Sequence, residues 1–128
     1  MTEGADGAVL AVFNTFFDNI RALRAAENLR LYSGDDDCCL IGSDKGEETY
    51  GMEGLAAFFA SADSRPSGFD FKWSSTRCTV SGDTAWVFAK GSVSGGGMAT
   101  AIPYLLTCVF VRREGGWKLR HFHGSEPR

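Results

Sequence analysis

Apolar residues recur at spacings of three and four from Val9 through Phe13, Phe16 and Ile20 to Leu23, with Asp18, Arg21 and Arg24 on the intervening wet face. That periodicity predicts an amphipathic helix over residues 6–24, with Asp6 able to cap its first turn. Val12 and Phe17 lie outside the main stripe, so the segment carries more apolar surface than one stripe holds. A short second helix is predicted over 26–32, with Leu29 and Tyr32, and is broken by Ser33, Gly34 and the acidic triplet Asp35, Asp36 and Asp37. The run 38–42 reads as a short strand, residues 43–46 as a turn and 47–50 as a returning strand. Leu55 to Ala60 reads as a short third helix.

From Phe69 onward the period changes from helical to twofold. Phe69, Phe71 and Trp73 alternate with Asp70 and Lys72, as in a half-buried strand. Residues 81–83 form a turn, 84–94 a strand with Trp86 and Phe88 on one face, and Gly95, Gly96 and Gly97 a flexible turn or bulge. A long apolar strand follows over 99–113, where Pro103 suits an edge or a bulge. Glu114, Gly115 and Gly116 make a hairpin loop before a last strand from Trp117 to about His123. Helices first and a meander of four long strands after them give an α+β class. A single antiparallel sheet must cover its apolar face, and the three helices are what the chain offers for that; a strongly curved sheet wrapped on a long helix would leave a conical cavity.

Composition narrows the function classes. The 128 residues make one domain, 1–128, with 44% hydrophobic and 23% charged residues, close to the globular average. A net charge of −3 with no basic block argues against nucleic acid as a partner. No apolar run approaches the about 20 residues needed to cross a bilayer. The acidic start, Met1 to Asp6, lacks the basic region of a signal peptide, so a cytoplasmic location is expected. Cys38, Cys39, Cys78 and Cys108 contain no C-x-x-C pair, and on a strand Cys38 and Cys39 point to opposite faces. Buried reduced thiols are expected, with a disulfide left open.

At the C-terminus the string from Val111 to Ser125 carries Arg112, Arg113, Gly115 or Gly116, Trp117, His121, His123 and Ser125. It resembles the final hairpin of the nuclear-transport-factor-like superfamily, above all the SnoaL-like domains and the association domain of calcium/calmodulin-dependent protein kinase II. Tyr50 to Leu55 resembles the strand-to-helix step of that superfamily, and Gly82 to Ala85 its G-D-x-A turn. The resemblance implies an α+β cone-shaped barrel with a pocket, a strongly curved antiparallel sheet packed on about three N-terminal helices, a homodimer through the sheet, and members that are isomerases, cyclases, dehydratases or proteins with no known reaction. Ketosteroid-isomerase chemistry needs a base near Gly42, a Tyr among Phe13, Phe16 and Phe17, and an acid near Thr107, and those three positions hold no such groups.

The remaining candidates are few. His121 and His123 are the chain's two histidines, and strict alternation sets both on one face with Trp117 and Leu119. They are the acid/base candidates for an enzyme of the cyclase, isomerase or dehydratase type. A hydrogen-bonded structural or ligand-orienting pair is the stronger reading of the two, and ligation of a cation, for which sequence names no third donor, the weakest. Arg112 is a candidate for binding a carboxylate, and Tyr50, Trp73, Trp86 and Tyr104 for lining a pocket. Asp35 to Asp37 reads as a solvated turn. The expected function is binding of a small, partly apolar or anionic molecule, with no cofactor and no metal. An acid/base enzyme using His121 or His123 is one alternative, and an assembly module like the kinase association domain is another.

Overall fold

The structure, a computed structural model, describes residues 4–127. Met1 to Glu3, part of the acidic start, lie outside the described residues. Helix α1 spans Gly4–Arg21, a 3-10 helix Ala25–Leu31, strands β1 and β2 Cys39–Ile41 and Glu48–Tyr50, and helix α2 Gly51–Asp63. The long strands β3 to β6 then span Phe69–Ser81, Thr84–Gly95, Ile102–Arg113 and Gly116–Ser125.

Helix α1 ends three residues before the expected Arg24, because Leu23 adopts a left-handed φ of 60° and turns the chain. Leu23 therefore falls outside the buried stripe, and Phe17 joins Val9, Phe13 and Phe16 in it. Asp6 sits within the first turn of α1 and does not precede it. The second helix is of 3-10 type, and its free N–H groups are capped from another element: Asp63 accepts from the backbone N–H of Ala25 and of Ala26 at 2.5 and 2.9 Å. Helix α2 is longer than its apolar core Leu55 to Ala60 implies. It begins on Gly51, whose φ of 78° turns the chain directly from β2 into the helix, a conformation that favours glycine.

The sheet has six strands in the order β2-β1-β6-β5-β4-β3. It is mixed: β1 runs parallel to β6, and the other pairs are antiparallel. The expected α+β arrangement of three helices packed on a curved sheet holds, with two details corrected: the sheet is mixed and not antiparallel throughout, and it is not closed, β2 and β3 remaining as its edges. Pro103 sits on β5 where β6 is not yet paired, because that pairing begins at Leu105, so no ladder bond is lost on that side. Two bulges bend the sheet. Ser74 is the extra residue between Trp73 and Ser75 on β3, and Arg120 the extra residue between Leu119 and His121 on β6.

The Arg120 bulge overturns the strict alternation expected of the last strand. Leu119 pairs with Phe110, and Phe122 with Cys108, so both face the helices. His121 and His123 pair with Val109 and Thr107 and take the convex face, opposite to Trp117 and Leu119. A single inserted residue exchanges the faces of everything after it.

The concave face packs on α1 and α2 through a chain of rings. Phe16 stands 5.2 to 6.4 Å, centroid to centroid, from Phe17, Phe59, Phe122 and Tyr32. Phe17 reaches Trp73 at 5.2 Å and Phe71 at 4.9 Å. Opposite them β4 presents the small residues Ala85, Val87 and Ala89, all fully buried. Asn28 is buried too, accepting from Asn19 at 2.8 Å and donating to the Phe16 carbonyl at 3.2 Å, which fastens the 3-10 helix to α1. Phe16→Ala is expected to destabilise the fold by about 3–5 kcal/mol, the cost of a large buried ring plus its cavity, read as a lower urea midpoint at unchanged slope.

Candidate functional site

The rings fill one end of the cup and leave the other open. There a cavity of about 500 Å³ lies between the α1–α2 layer and the starts of β3 and β5. Its floor is aromatic: Phe58, Phe59, Phe69, Phe71, Tyr104 and Phe122. Ile20 from α1, Leu40 from β1 and Val93 from β4 add aliphatic wall, and Gly96, Gly97 and Met98 from the β4–β5 loop form part of the rim. The glycine-rich loop is thus part of the cavity's mouth.

Most of the polar lining comes from two neighbouring segments. Ser43, Asp44 and Glu47 come from the β1–β2 turn, and Glu126 from just beyond β6. Ser43 Oγ donates to Glu126 Oε2 at 2.5 Å, and the Asp44 backbone N–H donates to Glu47 Oε1 at 3.0 Å. Arg65 stands toward the β3 edge, with its guanidinium 4.9 Å from the centre of the Phe69 ring. Tyr104 joins floor and wall. Burial raises its hydroxyl to a pKa of about 12, against a smaller lowering by hydrogen bonding with Ser43. It is therefore a neutral hydroxyl near pH 7. Its ring lies over Gly124, where a Cβ would fall 2.0 Å from the Tyr104 oxygen, so Gly124 is the space that Tyr104 occupies.

The residues expected to form one site are dispersed. Among Tyr50, Trp73, Trp86, Tyr104 and Arg112, Tyr104 lines this cavity. Trp73 packs beside it, its ring 6.4 Å from that of Tyr104, and its buried Nε1 has no hydrogen-bond partner. Tyr50 is 62% exposed on β2 and donates to Glu48 at 2.7 Å. Trp86 is 39% exposed on the convex face. Arg112 lies eight residues along β5 from Tyr104, about 26 Å of extended chain away. It donates to Asp83 from Nε and Nη2 at 3.0 and 2.8 Å.

His121 and His123 stand together on the convex face, ring centroids 6.3 Å apart, with the sheet between them and the cavity. His121 Nδ1 lies 3.1 Å from Cys39 Sγ on the neighbouring strand. Burial pushes the Cys39 thiol up, so sulfur meets imidazole as a neutral thiol. Among the described residues no group of three or more His, Cys, Asp or Glu could hold a metal ion. The acidic triplet is more than a solvated turn. Asp37 holds the bulged Arg120 bidentately at 2.8 and 3.0 Å, and Asp35 holds Arg113 at 2.8 Å. The arginine hydrogen bond holds the Asp37 carboxyl below its usual value, and the Ser33 hydroxyl does the same for Asp35.

The sequence pattern singles out none of Ser43, Asp44, Glu47, Arg65 and Glu126, the first four of which it leaves in turns, short strands and helix ends. A faint signal exists. The short strands end in Gly42-Ser43-Asp44 and begin again after Glu47, which puts polar groups where a curved sheet meets its helices.

Residues 9–128 match the family model of the SnoaL-like domain. The F-box protein SKIP8 of Arabidopsis thaliana is 34% identical over 122 residues, 92% of this chain and 49% of that protein. The chain thus spans about half the length of the curated relative it matches. A nuclear-transport-factor-2-like protein of unknown function from Pseudomonas putida superposes with a TM-score of 0.83 at 16% identity, over 99% of this chain and 89% of that one. A candidate dehydratase of the same family from Streptomyces avermitilis gives 0.80 at 19% identity, over 100% and 99%. A candidate calcium/calmodulin-dependent protein kinase II association domain from Thiobacillus denitrificans gives 0.78 at 18% identity, over 93% and 94%. At such identities these neighbours establish the fold.

Tyr104 yields a pH prediction. Its folded pKa of about 12 lies above the unfolded value of about 10, so its contribution is whole below pH 10 and is lost as pH rises to 12. Chemical-denaturation stability is expected to fall by about 2–3 kcal/mol across that window. Tyr104→Phe is expected to make the fall shallower, while Tyr32, also raised by burial, keeps part of it.

Proposed function

The chain belongs to the SnoaL-like domain family, and from that premise we propose that it binds a small, largely apolar molecule in the cavity at the open end of the cup. The observation that carries this is the cavity's make-up: about 500 Å³ over an aromatic floor, with few polar groups, most of them from the β1–β2 turn and Glu126. Ligand sites commonly have about 300–1,000 Å³, apolar walls and a few convergent polar groups. A filled core would have supported a scaffold instead.

Histidine catalysis inside the cavity has no geometric support, because β6 turns both imidazoles to the other face. Any proton transfer to a guest falls to Glu47, Glu126 or Tyr104. A homodimer through the convex face is part of the proposal. That face carries Trp86 with its register partner Val109, and Phe88 in the next rank, more apolar surface than a sheet facing water needs. The setting proposed is cytoplasmic, supported by four cysteines that are all free. Among the described residues no helix is long and apolar enough to cross a membrane.

The neutral dye Nile red tests the binding site. Saturable fluorescence enhancement is expected with the native protein. It should be lost in Ala62→Trp, which fills the cavity, while His121→Ala leaves it intact. Undiminished binding by a folded Ala62→Trp protein would refute the assignment. For the dimer, light scattering is expected to give about 28 kDa, two copies of 13.8 kDa. Trp86→Arg should halve that mass, whereas a larger ring would favour an assembly module.

A further inference from the structure

We infer that the cavity selects a guest carrying a protonated amine on an apolar body, on the premise that the cavity is a ligand site. Three carboxylates, Asp44, Glu47 and Glu126, stand at its mouth. Glu126 is tied through Ser43 to the β1–β2 turn, and Glu47 folds back onto the Asp44 backbone, so the three form one wall. Both hydrogen bonds engage one oxygen of each glutamate and leave the other for a guest.

None of the three is paired with a cation among the described residues. Elsewhere Asp18, Glu27, Asp35, Asp37, Asp70 and Asp83 each have a Lys or Arg partner within 4.0 Å, and other surface acids stand singly; the wall differs in gathering its unpaired carboxylates at one cavity. The cation on the lining is Arg65, which comes from the α2–β3 side, lies over the Phe69 ring and forms no ion pair with the three carboxylates.

The floor adds a second, independent preference of the same sign. Phe58, Phe59, Phe69, Phe71 and Tyr104 line the space a guest would fill, and the Phe69 ring already carries the Arg65 guanidinium 4.9 Å from its centre. The faces of aromatic rings attract ammonium groups and repel anions. A carboxylate guest would meet three like charges, and Arg112, the arginine that suggested an anion from sequence, is held by Asp83 at the far end of β5. A protonated amine would find free carboxylate oxygens at the rim and rings beneath, and its hydrocarbon portion would displace water from the floor.

Three probes with one skeleton test this by isothermal titration calorimetry: 4-phenylbutylammonium, 4-phenylbutan-1-ol and 4-phenylbutanoate. The alcohol reports the cavity alone. The ammonium is expected to bind about tenfold tighter than the alcohol, and the carboxylate about tenfold weaker. Raising salt to 0.5 M should shrink the spread, because the wall is open to solvent. The double variant Glu47→Gln/Glu126→Gln should bring the three within about twofold while keeping the alcohol's affinity. If that variant fails to fold, the ranking on the native protein and its salt dependence decide. Equal affinities, or a carboxylate that binds as well as the ammonium, overturn the charge assignment and leave the cavity standing as a site. An ammonium that does not bind overturns it in every case, and if the alcohol and Nile red also fail, the binding proposal falls with it.

Discussion

One inserted residue decides what the cup contains. Arg120 on β6 is unpaired in the ladder, and its guanidinium is held outside the sheet by both oxygens of Asp37. Because side chains alternate along a strand, the insertion exchanges the faces of every later position. Phe122 and Gly124 turn inward, where the first completes the ring cluster around Phe16 and the second makes room for Tyr104. Without the bulge, His121 and His123 would enter an apolar interior, and Phe122 would be exposed. Burying two imidazoles without partners costs several times what a surface bidentate ion pair contributes. The bulge is therefore favoured mainly by the residues after it, and the Asp37–Arg120 pair fixes where it falls.

The same economy of side-chain size explains why the cup is full at one end and hollow at the other. Along β4 the inward positions are Ala85, Val87, Ala89 and Gly91, which lets large rings from α1 and β3 approach closely. Phe13, Phe17, Phe71 and Trp73 take that space. At the opposite end the helix layer offers Ala62 and Ser61, the loops offer Gly42, Gly96 and Gly97, and no ring reaches across. The hollow follows from where small residues cluster, given a sheet bent by two bulges.

Element order and type were legible because each rests on a repeated signal. The stripe from Val9 to Ile20 marks a helix, the alternation Phe69, Phe71 and Trp73 a strand, and Gly82-Asp83 and Gly115-Gly116 the turns. The bulges were not, since a bulge is one residue out of phase and alternation assumes that there is none. That is why the expected shared face of Trp117 and His121 failed. Membership of the candidate site was harder still. Its acidic wall joins a turn at residues 43–47 to Glu126, far apart in sequence and brought together by the parallel pairing of β1 with β6. Short strands carry little pattern, and nothing local distinguishes their parallel pairing from an antiparallel one. Among the aromatics, Trp86 and Tyr104 look alike as pocket candidates by type, and face alone separates them.

The last strand also shows how such a fold can serve different ends with little change. Its alternate residues belong to two environments one strand thick: Phe122 and Gly124 touch the cup, while His121 and His123 touch the convex face beside Val109 and Thr107. Substitutions on one face alter the cavity lining, and substitutions on the other alter the convex surface, with the backbone common to both. Coupling between the two needs a shift of β6 itself, and the elements fastened to it limit such a shift. Parallel β1 holds it along Cys39 to Ile41, Asp37 clamps its bulge, and Ser43 grips Glu126 beyond its end. The last of these contacts belongs to the acidic wall.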